Sequence, residues 1–235
     1  MGIFKKPLKN KNTFKYEFSE GDIFYTFFEN QYHIYKLLKV DFDFGIYHVL
    51  YYRPVDRLPG PDEAGKLEVF VYHTPIAADG FEEPKLLCKS ELTYNDFTGY
   101  YEYLRQTQNY DEIVNMATTW YKKAYHLTDQ KKYEEAIQKY SYAIDLIPAY
   151  YEAIDNRAFC KMDLGQWNEA IEDFKLSLQV NPGTLLAEFS IGECYLKMGE
   201  YKNAVTQFKR AIEIDPTHQL SKAFLEKAIA LDEKQ

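Results

Sequence analysis

The sequence predicts an α+β protein, with an N-terminal antiparallel β-meander or small barrel-like domain followed by an all-α repeat solenoid. Two observations carry that expectation. Residues 1–110 hold more than half of the aromatic side chains and alternate with a period of two, as half-buried strands do. Residues 111–235 instead repeat, with Pro148, Pro182 and Pro216 standing at equal intervals of 34 residues.

Composition narrows the functional classes. The chain has 235 residues, 46% hydrophobic and 27% charged, which suits one large or two modest globular domains. Its net charge of −8, from 28 basic and 36 acidic residues, disfavours nucleic acid as a partner and suits a basic protein partner. No apolar run approaches the ~18 residues of a membrane span. The N-terminal MGIFKKPLKNKNTFKY lacks the apolar core of a signal peptide, and Lys6 stands where myristoylation requires Ser or Thr. A cytoplasmic protein without membrane contact is therefore expected. Lys5, Lys6, Lys9, Lys11 and Lys15 read as a solvated basic arm, since no base-stacking module follows them.

Within the first domain (1–110), strands are expected near 22–29, 32–41, 45–53 and 66–74. Glu29–Gln31 and Asp41–Gly45 are the hairpin turns. RPVDRLPGPDEAG (53–65), with three prolines and two glycines, reads as a long surface loop. Cys88 begins a short last strand. TYNDFTGYYEYLRQTQ then reads as a helix capped by Thr93 or Asn95, with Phe97, Tyr101 and Leu104 on one face. A second helix start at Asn109 leads into the repeats, so helices rather than a flexible linker are expected to join the domains. In DIFYTFFENQYHIY (22–35) both strand faces are apolar, which suits a strand covered on two sides.

The second domain (111–235) divides into repeats 117–150, 151–184 and 185–218. Twelve residues before each proline lies Ala136, Ala170 or Ala204, and eight before lies Tyr140, Phe174 or Phe208. Each unit must be two antiparallel helices. The small alanine admits the paired helix, the aromatic fills the space beside it, and proline stops the second helix. Gly165 and Gly199 sit near the interhelix turns; Lys131 takes that place in the first unit, where a looser turn is expected. Residues 219–232 form an amphipathic capping helix, giving seven helices in all. Cys160 and Cys194, one period apart, read as small buried residues rather than a disulfide or metal pair.

These residues, with Trp120, Ala143, Ala158, Gly192, Tyr195 and Ala211, resemble the tetratricopeptide repeat family over about 117–216. Ser177 and Ile154 are mild departures. The resemblance implies a peptide-binding concave face lined by the first helix of each pair. Family members that grip a C-terminal carboxylate use Lys and Asn on the first such helix, Asn on the second, and Lys and Arg on the third. The matching positions here hold Tyr121 and Tyr125, Asn156, then Leu186 and Ser190, so only Asn156 fits and that mode is disfavoured. What lines the inferred face is Tyr121, Tyr125, Asp155, Asn156, Phe159, Met162, Phe189 and Glu193. Aromatic anchors with scattered acids suit an apolar peptide carrying basic residues. The alternative is that the protein's own N-terminal domain covers this face.

No phosphate loop, nucleophile elbow or zinc-protease helix occurs, and His33, His48, His73, His126 and His218 show no ligand spacing. Asp43-Phe44-Gly45 imitates a kinase triplet without its companions and reads as a turn. No catalytic residue, metal or cofactor is expected. The preferred reading is a non-enzymatic protein-interaction module. GDIF and YHIYKLLKV also resemble small immunity domains of bacterial toxin systems, which would imply a toxin inhibitor. A third reading is an enzyme or small-ligand domain regulated by the repeats.

Overall fold

The structure is a computed structural model that describes residues 18–234; the basic stretch Lys5–Lys15 lies outside the described residues. The chain divides into two compact units, residues 1–110 and 111–235.

The first unit is built on a five-stranded antiparallel sheet of order β4-β3-β2-β1-β5. Its strands are β1 (Ile23–Phe28), β2 (Gln31–Asp41), β3 (Ile46–Tyr52), β4 (Val69–Ala77) and β5 (Lys85–Cys88). The sheet is open, with β4 and β5 as its edges. β4 runs past the expected end at residue 74 because Pro75, which cannot donate to a ladder, is tolerated on an edge strand. Glu29 and Asn30 both take left-handed angles (φ 49° and 63°), giving the tight two-residue hairpin between β1 and β2. At the next turn Asp41 Oδ1 accepts from the Asp43 and Phe44 amides, each at 3.1 Å, and Gly45 adopts φ 67°. The kinase-like triplet is a turn.

Gly21, which opens the GDIF stretch, has φ 96°, and a Cβ there would stand 2.3 Å from the Ser90 carbonyl oxygen. Only glycine meets both conditions. The long 53–65 segment is more ordered than a surface excursion. It bridges back through Val55 to Tyr32 and contains a short helix, α1 (Pro61–Ala64), whose Gly60 amide donates to Glu63 at 2.9 Å.

The sheet has a core on both faces. On one, Phe24, Leu37, Tyr47 and Val49 pack with Ala78 and Phe81 from the segment after β4. A bulge between Leu37 and Lys39 lets Leu37 and Leu38 both be buried, and it moves His48 opposite Lys39. On the other, α2 (Thr98–Gln106) buries Tyr100, Tyr101 and Leu104. α2 approaches β4 so closely that a Cβ at Gly99 would lie 2.8 Å from the Tyr72 backbone. The buried Lys36 Nζ donates to Asp96 at 2.9 Å and to the Glu91 carbonyl at 2.8 Å, pinning the segment before α2 to the sheet. In β1, Ile23 and Phe24 are buried as the two-sided pattern requires, but Phe27 and Phe28 are half-exposed where the hairpin outruns its cover.

The second unit is a run of helices: α3 (Tyr110–Asp129), α4 (Tyr133–Leu146), α5 (Tyr151–Asp163), α6 (Trp167–Val180), α7 (Leu185–Met198), α8 (Tyr201–Ile214) and α9 (Gln219–Asp232). From α4 onward each packs against the next, and α3 meets α4 through Trp120 on Tyr142 and Tyr121 on Tyr140, so burial propagates along the array. The in-phase alanines and aromatics are fully buried, each aromatic contributing roughly 2–3 kcal/mol of transfer free energy. Gly165 and Gly199 turn with φ 73° and 77°, and Lys131 is forced into the same left-handed region at φ 59°. The first turn is therefore as tight as the others. Cys160 and Cys194 are buried free thiols.

One ionic cluster ties three helices together. Arg157 on α5 grips Asp173 on α6 with two bonds of 2.7 and 2.8 Å and donates to Ser141 on α4 at 2.9 Å. Lys161 adds a 2.6 Å contact to the same, nearly buried Asp173.

Candidate functional site

Tyr121, Asp155 and Phe189 occupy equivalent places, one per repeat, on α3, α5 and α7. The structure gathers a tyrosine cluster at the first of them. Tyr121 stacks on Tyr150 at 5.1 Å and lies 5.7 Å from Tyr140 and 6.5 Å from Tyr125. Asn156 donates through Nδ2 to the Tyr121 hydroxyl at 3.2 Å and to the Glu152 carbonyl at 2.7 Å. Both of its amide protons are thus committed within this chain. Tyr125 is 52% exposed and is the open face of the cluster.

The other residues on that face are held more deeply. Phe159 stands edge-on to Phe174 at 5.1 Å, and with Met162 it packs against the core of the second and third repeats. Phe189 packs among Phe208, Phe224 and His218 at 5.3–5.5 Å, so α9 supplies part of its cover. Position 34 of the repeat therefore meets position 5 twice, as Tyr150 on Tyr121 and as His218 on Phe189. Sequence reasoning placed neither Tyr150 nor His218 in the site, although their 34-residue phase with the repeat was visible.

The acids are unusual in their burial. Asp155 is only 8% exposed, and its Oδ1 has no hydrogen-bond partner among the described residues. Burial pushes its carboxyl above the usual range, against the hydrogen-bonding influence of Ser177. Burial likewise raises Glu193, with Lys197 opposing, and Glu188, with Arg210 opposing. A cation brought to this face would relieve the desolvation of these carboxyls. Of the clamp positions, Ser190 is buried and Leu186 is half-exposed.

Elsewhere, His48 Nδ1 and His73 Nε2 share a hydrogen bond of 2.9 Å across β3 and β4, against Tyr100 and Tyr103 of α2. Sequence spacing missed this pair, because partners on adjacent strands are set by register, which here puts His48 opposite Pro75 and diagonal to His73. Among the described residues no group of three or more His, Cys, Asp or Glu is placed to hold a metal ion, and no helix is long and apolar enough to cross a membrane.

Consecutive helix pairs in a 34-residue register, each closed by an aromatic under a proline stop, define a helical-repeat solenoid. The tetratricopeptide repeat family model matches residues 186–218, the third of the helix pairs. No curated protein matches the chain. Similar solved structures include the first TPR domain of human RPAP3, at 24% identity over 51% of this chain and 94% of that one (TM-score 0.48). The Arabidopsis OM64 TPR domain is 20% identical over 49% and 96% (TM-score 0.47). The first TPR of Spaghetti (RPAP3), bound to the HSP90 peptide SRMEEVD, is 23% identical over 50% and 93% (TM-score 0.48).

Proposed function

We propose that the protein is a non-enzymatic interaction module whose repeat array binds a peptide or protein segment carrying apolar and basic side chains. The carrying observation is the pairing of an open aromatic cluster, Tyr121–Tyr125–Tyr150, with two carboxyls raised by burial, the buried Asp155 and the half-buried Glu193. Aromatic anchors supply contact area at low entropic cost, and a Lys or Arg arriving at the acids exchanges a desolvated charge for a pair. The commitment of the Asn156 amide to Tyr121 supports a mode other than C-terminal carboxylate capture.

Selection of random peptides on the full chain tests this. Enrichment of Lys or Arg two to four positions from an aromatic or large aliphatic residue is expected, with Tyr125→Ala and Glu193→Gln each weakening the selected peptides about tenfold. Both substitutions spare the interior. Selection of acidic peptides ending in a free carboxylate, insensitive to either change, would overturn the reading.

A further inference from the structure

The β unit contains a cavity of about 520 Å³, built only from residues of that unit. Its floor is the β1–β2 hairpin, where Thr26 and His33 are direct cross-strand partners and Tyr35 follows on the same face. Ile76 and Phe81 form the opposite wall, and the half-exposed Phe28 stands at one end.

The chemistry of these walls is one-sided. Tyr35 lies in a cross-strand ladder between Phe24 at 5.4 Å and Tyr51 at 4.9 Å, both stacked on it, so it offers the cavity its edge and hydroxyl. Burial pushes that hydroxyl up to about 12, keeping it protonated at neutral pH. His33 spends Nδ1 on the Tyr51 hydroxyl at 2.6 Å, while its buried Nε2 has no hydrogen-bond partner among the described residues. The formal charges on the lining are Asp79 and Glu82; no Lys or Arg lines it. Two carboxylates beside one cavity repel an anion and attract a cation.

We propose that this cavity binds an organic cation, its ammonium or guanidinium head at Asp79 and Glu82 and its apolar stem against Phe28, Ile76 and Phe81. The volume falls in the ~300–1,000 Å³ range of small-ligand cavities. This inference does not rest on the repeat array or on its peptide. The head could belong to a free amine or to a basic side chain of another protein, since both present the same group.

The test is calorimetric titration of the full chain with phenethylammonium, with 2-phenylethanol and phenylacetate as isosteres, and with a blocked Gly-Lys-Gly peptide. Phenethylammonium or the peptide is expected to bind, at least tenfold more tightly than 2-phenylethanol, and to weaken as salt is raised. The variant carrying Asp79→Asn and Glu82→Gln should lose about tenfold or more of that affinity. Both side chains are exposed, so the variant should melt with the parent. Preference for the peptide assigns the head to a protein side chain; preference for phenethylammonium assigns it to a free amine. Absence of binding by both cations at about 10 mM, or phenylacetate binding as well as phenethylammonium, would overturn the proposal. Because the isostere and salt arms use the unmodified chain, the outcome stands even if the double variant folds poorly.

Discussion

Asp173 is the residue on which the most ionic structure converges. Its carboxylate takes both prongs of Arg157 and the Lys161 ammonium while almost fully buried. Removing its charge leaves two cations packed without a counter-ion, which costs far more than a surface pair is worth. Asp173→Asn should therefore lower unfolding free energy by about 3 kcal/mol, read as a fall in the urea midpoint of tryptophan fluorescence. Both tryptophans, Trp120 and Trp167, lie in the repeat array and report on it alone. Gly192 makes the opposite point about reading a sequence. The repeat phase sets it against Ala124 and Ala158, and replacing a helical glycine by alanine ordinarily gains about 1 kcal/mol. Here a Cβ would lie 2.6 Å from the ring of the fully buried Phe208. Gly192→Ala should instead cost about 1–2 kcal/mol through overpacking, checked by the same denaturation.

At the scale of elements, repeat phase and local turn chemistry explain most of what forms. Every second helix of a pair ends just before its proline, and the turn inside each pair takes one left-handed residue. Lys131 shows that the geometry belongs to the repeat rather than to glycine: its neighbours' packing holds it at φ 59°. That strain should be removable. Lys131→Gly relieves about 1–2 kcal/mol of left-handed penalty and returns part of it as chain entropy. A net gain of up to about 1 kcal/mol is expected, visible as a raised thermal midpoint; an unchanged or lower one would mean the turn is not strained. Strand existence was equally legible, because YHIYKLLKV and GIYHVLYY alternate cleanly. Strand ends were not: the strand expected near 66–74 runs Val69–Ala77, carrying Pro75 on an edge. The two-sided apolar pattern of 22–35 pointed to packing on both faces, and that holds for Ile23 and Phe24 but not for Phe27 and Phe28.

At the scale of the whole molecule, the two units should answer acid in opposite directions. His73 is pushed down to about 4, first by burial and then by His48, with Tyr100 and Tyr103 also facing it. An unfolded histidine titrates near 6.5, so below that pH the unfolded β unit binds a proton that the folded one refuses. Its contribution is present above pH ~6.5 and is lost as pH falls towards 4. Asp155, Glu188 and Glu193 are raised instead, so the folded repeat array takes up protons before the unfolded chain does. That array gains stability as pH falls through the window just above ~4.5. Urea transitions followed by hydrogen exchange of the β3 and β4 amides and by tryptophan fluorescence should separate as pH drops from 7 to 5, and His73→Phe should flatten the β-unit response. The sequence by itself determined the periodicities: an antiparallel meander, helix pairs of 34 residues, and the apolar face each must bury, because those follow from spacing along the chain. Which side chains meet across the chain was decided only by tertiary structure. The His48–His73 pair, the buried Asp155 carboxyl, the bar on a Cβ at Gly192 and the acid-rimmed cavity all depend on register and close approach, which spacing does not encode.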